Sequence, residues 1–207
     1  VASKRQKPEA IALLDEQRGR TDRALSAYRG LDRAAVAAGS AGFAAALGRI
    51  DQRIAALDAQ RRGVDTLTSA VPAVLGWYSG TIRDALRGAT EVVKTVDDSG
   101  TALSLFTLQA LMEAKENAGQ ERATGNALVS GGSVEPARYR AFVEALARET
   151  DRFAEFSAFA EGSRDALLKR IAAAPTGEAV DRLRAPLVAA IETGSLGGVV
   201  SPDWWAA

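Results

Sequence analysis

At 207 residues the chain is one large domain or two small ones, long enough to bury a real core. It is 47% apolar and 25% charged, and its 26 basic and 26 acidic side chains cancel, a balance that argues against a nucleic-acid partner. With no Cys and no His, zinc sites of the usual kind, cysteine nucleophiles, Ser-His-Asp triads and His-ligated haem are excluded. The absence of Cys leaves the compartment open. Proline is scarce and β-branched residues are thinly spread, so an all-α protein is expected. No run of about 18 apolar residues is present, so nothing here spans a bilayer, and no signal peptide is visible. The abrupt opening at Val1 and the close at Trp204-Trp205-Ala206-Ala207 read as a piece of a longer protein.

In chain order, Pro8 suits the first turn of a helix. From there Ile11, Leu14, Arg18, Thr21, Leu25 and Tyr28 step by three and four, a coiled-coil-like seam with an arginine inside it. Arg18 either faces a ligand or packs its stem and sends its head to water. After the break at Gly39-Ser40, a second helix carries Phe43, Leu47, Ile50, Ile54, Leu57, Arg61, Val64 and Thr68 inward, again with a cation in the seam. Arg62 beside it points elsewhere. The Val71-Pro72 break opens a third helix with an apolar face of Val74, Leu75, Tyr78, Ile82, Ala85, Leu86, Ala89, Val93 and Val96. Trp77 and Tyr78 are core or boundary aromatics, or the wall of a ligand site. Asp97 to Gly100 form a turn in which Ser99 or Thr101 caps the next helix.

That next helix, Leu105 to Val129, is central. Its stripe begins with Leu105, Leu108, Leu111 and Met112 and continues through Lys115, Ala118, Gly119, Arg122, Gly125 and Asn126. An apolar face thus turns into two cations padded by small side chains. A buried unpaired charge is costly, so an anion between helices is one reading. Pairing of both cations with acids on neighbouring helices, or a position just off the buried face, is the other. Three helices with inward cations would need matching buried acids if no anion were present, and these seams hold none.

Ser130 to Ser133 form the clearest loop. Pro136 then starts a helix with Tyr139, Phe142, Val143, Leu146, Thr150, Phe153 and Phe156 inward, a core stripe. A break near Gly162 precedes an extension through Leu167, Leu168 and Ile171 to Pro175. The last clear helix follows Thr176-Gly177 with Val180, Leu183, Leu187 and Ile191 inward; Pro186 should kink it, and Arg184 lies beside its stripe. Ser201-Pro202-Asp203 starts a further helix whose Trp204 and Trp205 pack on the bundle or mark a membrane interface.

The run from Lys115 to Gly125, KENAGQERATG, resembles the signature of the nitrate- and nitrite-sensing (NIT) family, a Lys-Glu-x-x-Gly-x-Glu-Arg-Ala block on a central helix. Lys115, Glu116, Gly119, Glu121, Arg122 and Ala123 match it position by position. Looser agreement runs through Gln17-Arg18 with Thr21-Asp22, Arg61 with Val64-Asp65, Tyr78 with Ile82, and the Ser-Pro-Asp-Trp-Trp close. The resemblance implies an all-α sensor domain over residues 1–207, built as antiparallel, up-and-down four-helix bundles that share long helices. It implies nitrate or nitrite bound between helices by arginines, and a periplasmic, extracytoplasmic domain of an inner-membrane receptor, with a cytoplasmic setting as the alternative. The expected ligand residues are Arg122, Arg18, Arg61 and Lys115. No cofactor and no metal are expected; a membrane-anchored parent is, and the sequence leaves open whether it forms a homodimer. The family's first helix, with Gln-x-Glu-Arg-Gly, would lie upstream of Val1, whose Val1-Ala2-Ser3-Lys4 resembles the loop after it. A competing alignment puts Asp15 to Gly19 on that motif, with Arg18 as its arginine.

The chemistry suits the ligand: guanidinium forks present paired donors to planar oxyanions and stay charged at every relevant pH. Such a site recognises and does not catalyse. The alternative is a bundle for another small anion or carboxylate, or for a protein partner. An enzyme is not expected, because no inward carboxylate pair accompanies a base or metal set. Glu116 and Glu121 would orient Lys115 and Arg122 or face solvent.

Overall fold

Every regular element among the described residues is helical, as the composition predicts. The computed structural model describes residues 8–31, 40–160, 162, 166, 169–170 and 175–206. The helices are α1 (Pro8–Arg29), α2 (Ala41–Ala55), α3 (Leu57–Asp65), α4 (Val71–Val93), α5 (Ser99–Ser130), α6 (Pro136–Phe159), α7 (Pro175–Val188), α8 (Ala190–Thr193) and α9 (Ser201–Ala206). They form an all-α bundle fold whose contacts divide into two compact units, Val1–Glu91 and Val92–Ala207. No helix among the described residues is long and apolar enough to cross a membrane.

In the first unit, Ser40 caps α2 by accepting a hydrogen bond from the Phe43 N–H at 3.2 Å. The expected uninterrupted second helix is broken at Ala56, whose N–H turns back to Arg53 O at 3.1 Å. Helix α3 then stops at Asp65, and Leu67 beyond it adopts a left-handed φ of 55°, so Thr68 lies outside the helix. Helices α2 and α4 come close where Ala46 faces Gly88: a Cβ on Gly88 would sit 3.6 Å from that of Ala46. The face of α4 differs from expectation. Leu75, Tyr78, Ile82 and Ala85 are exposed, and the buried residues are Asp84, Leu86 and Gly88. Asp84 is drawn inward by Arg53, 3.1 Å away, and a small Gly88 permits the close approach; neither is visible as hydrophobicity.

In the second unit, the cap of α5 is Asp98 rather than Ser99 or Thr101. Its carboxylate accepts from the Thr101 N–H at 2.6 Å, and the Thr101 hydroxyl first and this N–H second hold its pKa below the ordinary value. Pro136 opens α6 as predicted, with Glu135 accepting from the N–H groups of Ala137 and Arg138 at 2.9 and 3.0 Å. The core gathers Leu128, Val129, Phe142, Leu187, Val199 and Trp204, with Tyr139, Val143, Leu146, Leu183 and Leu196 packed around it. Helix α7 carries Pro186 inside it and ends at Val188, leaving Ile191 exposed where an inward position was expected. The proposed extension through Leu167, Leu168 and Ile171 lies outside the described residues.

Candidate functional site

The signature helix α5 buries a different face from the one its large apolar residues suggest. Thr107, Ala114, Glu121 and Leu128, seven residues apart in turn, are all buried, together with Ala110 and Gly125. Leu108 and Met112 are half-exposed, and Lys115, Gly119 and Arg122 follow them onto the exposed side. The expected inward stripe is therefore one position out of phase. Small residues at close helix contacts bury more completely than the Leu and Met on the outer face. Among the described residues, neither Lys115 nor Arg122 forms an ion pair.

Inside the signature, Glu121 points inward. It is 3% exposed and meets Arg184 of α7: the guanidinium donates from Nε to Glu121 Oε1 at 2.8 Å and from Nη2 to Oε2. The same Nη2 donates to both oxygens of Glu149 on α6, at 2.9 and 2.7 Å. Glu149 is 6% exposed. Burial, and then its hydrogen bond with Glu121, push the Glu149 pKa up to about 7 against the pull of Arg184. Burial opposes the charge on Arg184, yet hydrogen bonds to Glu121 and Glu149 leave its pKa raised. This triad corrects the expectation that Glu121 orients Arg122 or faces solvent. Glu149 was not singled out, although a signal existed: Phe142, Glu149 and Phe156 are spaced by sevens and all are buried.

The C-terminal helix closes over the same stretch. Trp204 is 5% exposed, donates from Nε1 to the Arg122 carbonyl at 2.8 Å, and meets Phe142 edge-on with ring centroids 5.8 Å apart. A Cβ on Gly125 would collide with the Trp204 indole, so only glycine fits there. Ser201 adds a hydrogen bond to Asn126 Oδ1 at 2.6 Å. Of the two readings for Trp204, packing on the bundle is the observed one; the side chain of Trp205 lies outside the described residues.

The first unit brings together the other two candidates. Arg18 of α1 pairs with Asp65 of α3 at 2.8 Å, and Arg61 of α3 pairs with Asp22 of α1 at 2.8 Å. On each helix the arginine precedes the aspartate by four residues, so the two pairs cross between the helices. Both arginines thus meet an acid, not one buried in a seam but one that stands a turn along the neighbouring helix. Both arginines are largely inward, with side chains 21% and 15% exposed, whereas the aspartates are about half-exposed at 49% and 55%. The hydrogen bond to Asp22 is the largest influence on Arg61 and raises its pKa; Tyr78 and Asp58 add weaker electrostatic support. Each guanidinium still has a buried Nε without a hydrogen-bond partner. Buried donors are seldom left unmet.

Among the described residues the structure therefore defines a helical bundle fold that holds guanidiniums inward at Arg18 and Arg61 and at Arg184. Among the described residues no group of His, Cys, Asp or Glu is arranged to hold a metal. A scan against protein-family models matches residues 1–207 to the family described as nitrate and nitrite sensing. The chain belongs to that family, a family of sensor domains of signalling receptors. Searches of curated proteins and of solved structures returned no match.

Proposed function

We propose that this domain binds nitrate or nitrite between helices through arginines, with Arg18 and Arg61 as the principal ligands, and reports the anion by a displacement of those helices. The observation that supports this reading is the pair of buried, unpartnered Nε groups on those two residues. Asp65 and Asp22 each engage the Nη2 atom and leave the Nε–H of each guanidinium to another acceptor. A planar monovalent oxyanion carries in-plane acceptors suited to such an N–H donor. Leaving a buried donor unmet costs about 1–3 kcal/mol, and a ligand that meets it recovers that amount. An anion bonded to both arginines bridges α1 and α3, so it favours whichever arrangement of those helices fits the bridge. Lys115 and Arg122 remain in the proposal as an exposed cationic pair on α5. The extracytoplasmic setting and the membrane-anchored receptor belong to the same reading and are supported by the family alone.

Thermal unfolding of the 207-residue chain across a nitrate or nitrite titration, with chloride at equal ionic strength, tests the reading. Ligand that binds only the folded state at a hundred times its Kd stabilises by about 2.7 kcal/mol. Arg18→Lys and Arg61→Lys keep a charge opposite Asp65 and Asp22 but remove the Nε–H donors. The expected result is a saturable rise in Tm with nitrate or nitrite, and at least tenfold weaker binding in each Lys variant. Arg122→Ala reports separately on the exposed pair. Absence of any shift, here and in a chain extended upstream of Val1, would sink the nitrate reading.

A further inference from the structure

We propose that Glu121, Glu149 and Arg184 form a proton-binding site, with one proton shared between the two carboxylates, that ties the packing of α5, α6 and α7 to pH. The geometry makes the case. Two carboxylates, 3% and 6% exposed, converge on a single guanidinium, and both accept from the same Nη2 atom. With both glutamates ionised the buried cluster carries one negative charge in excess, which burial opposes. A proton on Glu149, donated across to the Glu121 carboxylate, brings it to zero and keeps both bonds to Arg184. The charged groups acting on Glu149 are Glu121 from α5 and Arg184 from α7. Behind Arg184, the exposed Asp181 stands 3.8 Å from Nη1 and is the remaining ion-pair partner of that guanidinium among the described residues. Burial supports protonation near neutrality, because it pushes Glu149 up to about 7. A carboxyl whose folded pKa is raised stabilises the fold below its ordinary value of 4.5. That stabilisation is lost as pH rises to about 7. The sensor would thereby carry a response to pH that does not depend on the anion site.

Two measurements on the full 207-residue chain test this. In a carbon-13 NMR titration, the Glu149 side-chain carboxyl should show its midpoint near pH 7. The Tm should fall between pH 5 and pH 7.5, and Glu149→Gln, which retains hydrogen bonds to Arg184 and Glu121, should flatten that fall. Glu121→Gln leaves one carboxylate for one guanidinium, so the Glu149 midpoint should drop by about one pH unit or more in that variant; this arm stands even if Glu149→Gln does not fold. A Glu149 carboxyl that titrates in the ordinary carboxylate range overturns the proposal. So does an unchanged midpoint in Glu121→Gln, or a pH slope in a folded Glu149→Gln equal to that of the parent chain.

Discussion

At the scale of single residues, the signature block does two kinds of work on its two sides. Glu121 and Gly125, with Asn126 just past the block, are committed to partners within the second unit: Arg184, the Trp204 ring and Ser201. Gly125→Ala forces a methyl into the indole, and we expect a loss of about 1–3 kcal/mol in denaturant unfolding. Trp204→Ala removes a core aromatic and its hydrogen bond to Arg122 O, an expected loss of about 3–5 kcal/mol. Arg184→Met leaves two buried carboxylates without a counter-charge. Losing one partner of a buried ion pair costs about 3–5 kcal/mol, and the loss should be larger at pH 8 than at pH 5, where a proton relieves the excess charge.

At the scale of elements, the phase of α5 decides which residues matter. Hydrophobicity places Leu108 and Met112 inside; packing places Ala110 and Ala114 there, at 3% and 0% exposure. The two phases predict opposite outcomes. Leu108→Gln should change stability by no more than about 0.5 kcal/mol, as surface substitutions do. Ala114→Leu should cost about 1–3 kcal/mol by overpacking. Chemical denaturation of the two variants separates the cases, and a large loss at Leu108 with none at Ala114 would restore the hydrophobic phase. The existence and type of most helices were legible, because Pro136, the Ser130–Ser133 loop and the three-four spacing of apolar residues are local signals. Helix ends were less so. Asp98 and Ser99 can each cap, and the break at Ala56 has no proline or glycine to announce it. The buried faces of α4 and α5 were not legible, since Asp84, Gly88, Ala114 and Glu121 are inward for reasons that lie on other helices.

At the scale of the molecule, two charge clusters occupy separate stretches of chain and should respond to different solutes. Nitrate is expected to slow amide hydrogen exchange in α1 and α3, around Arg18 and Arg61. A change from pH 7.5 to pH 5.5 is expected, once intrinsic exchange rates are corrected, to raise protection in α5, α6 and α7 around Glu149. Exchange measured by mass spectrometry resolves the two. Protection by nitrate confined to the stretch around Lys115 and Arg122 would move the site onto α5.

By itself the sequence determined the fold class, the positions of most helices, the exclusion of His and Cys chemistry, and the family, because these follow from composition, local periodicity and a motif read position by position. Tertiary structure decided which cations meet which acids. Arg18 finds Asp65 across 47 residues, and Arg184 finds Glu121 across 63. The physical reason is that a charge on a helix is settled by what the neighbouring helix presents at the same height, and no local pattern records the register between two helices.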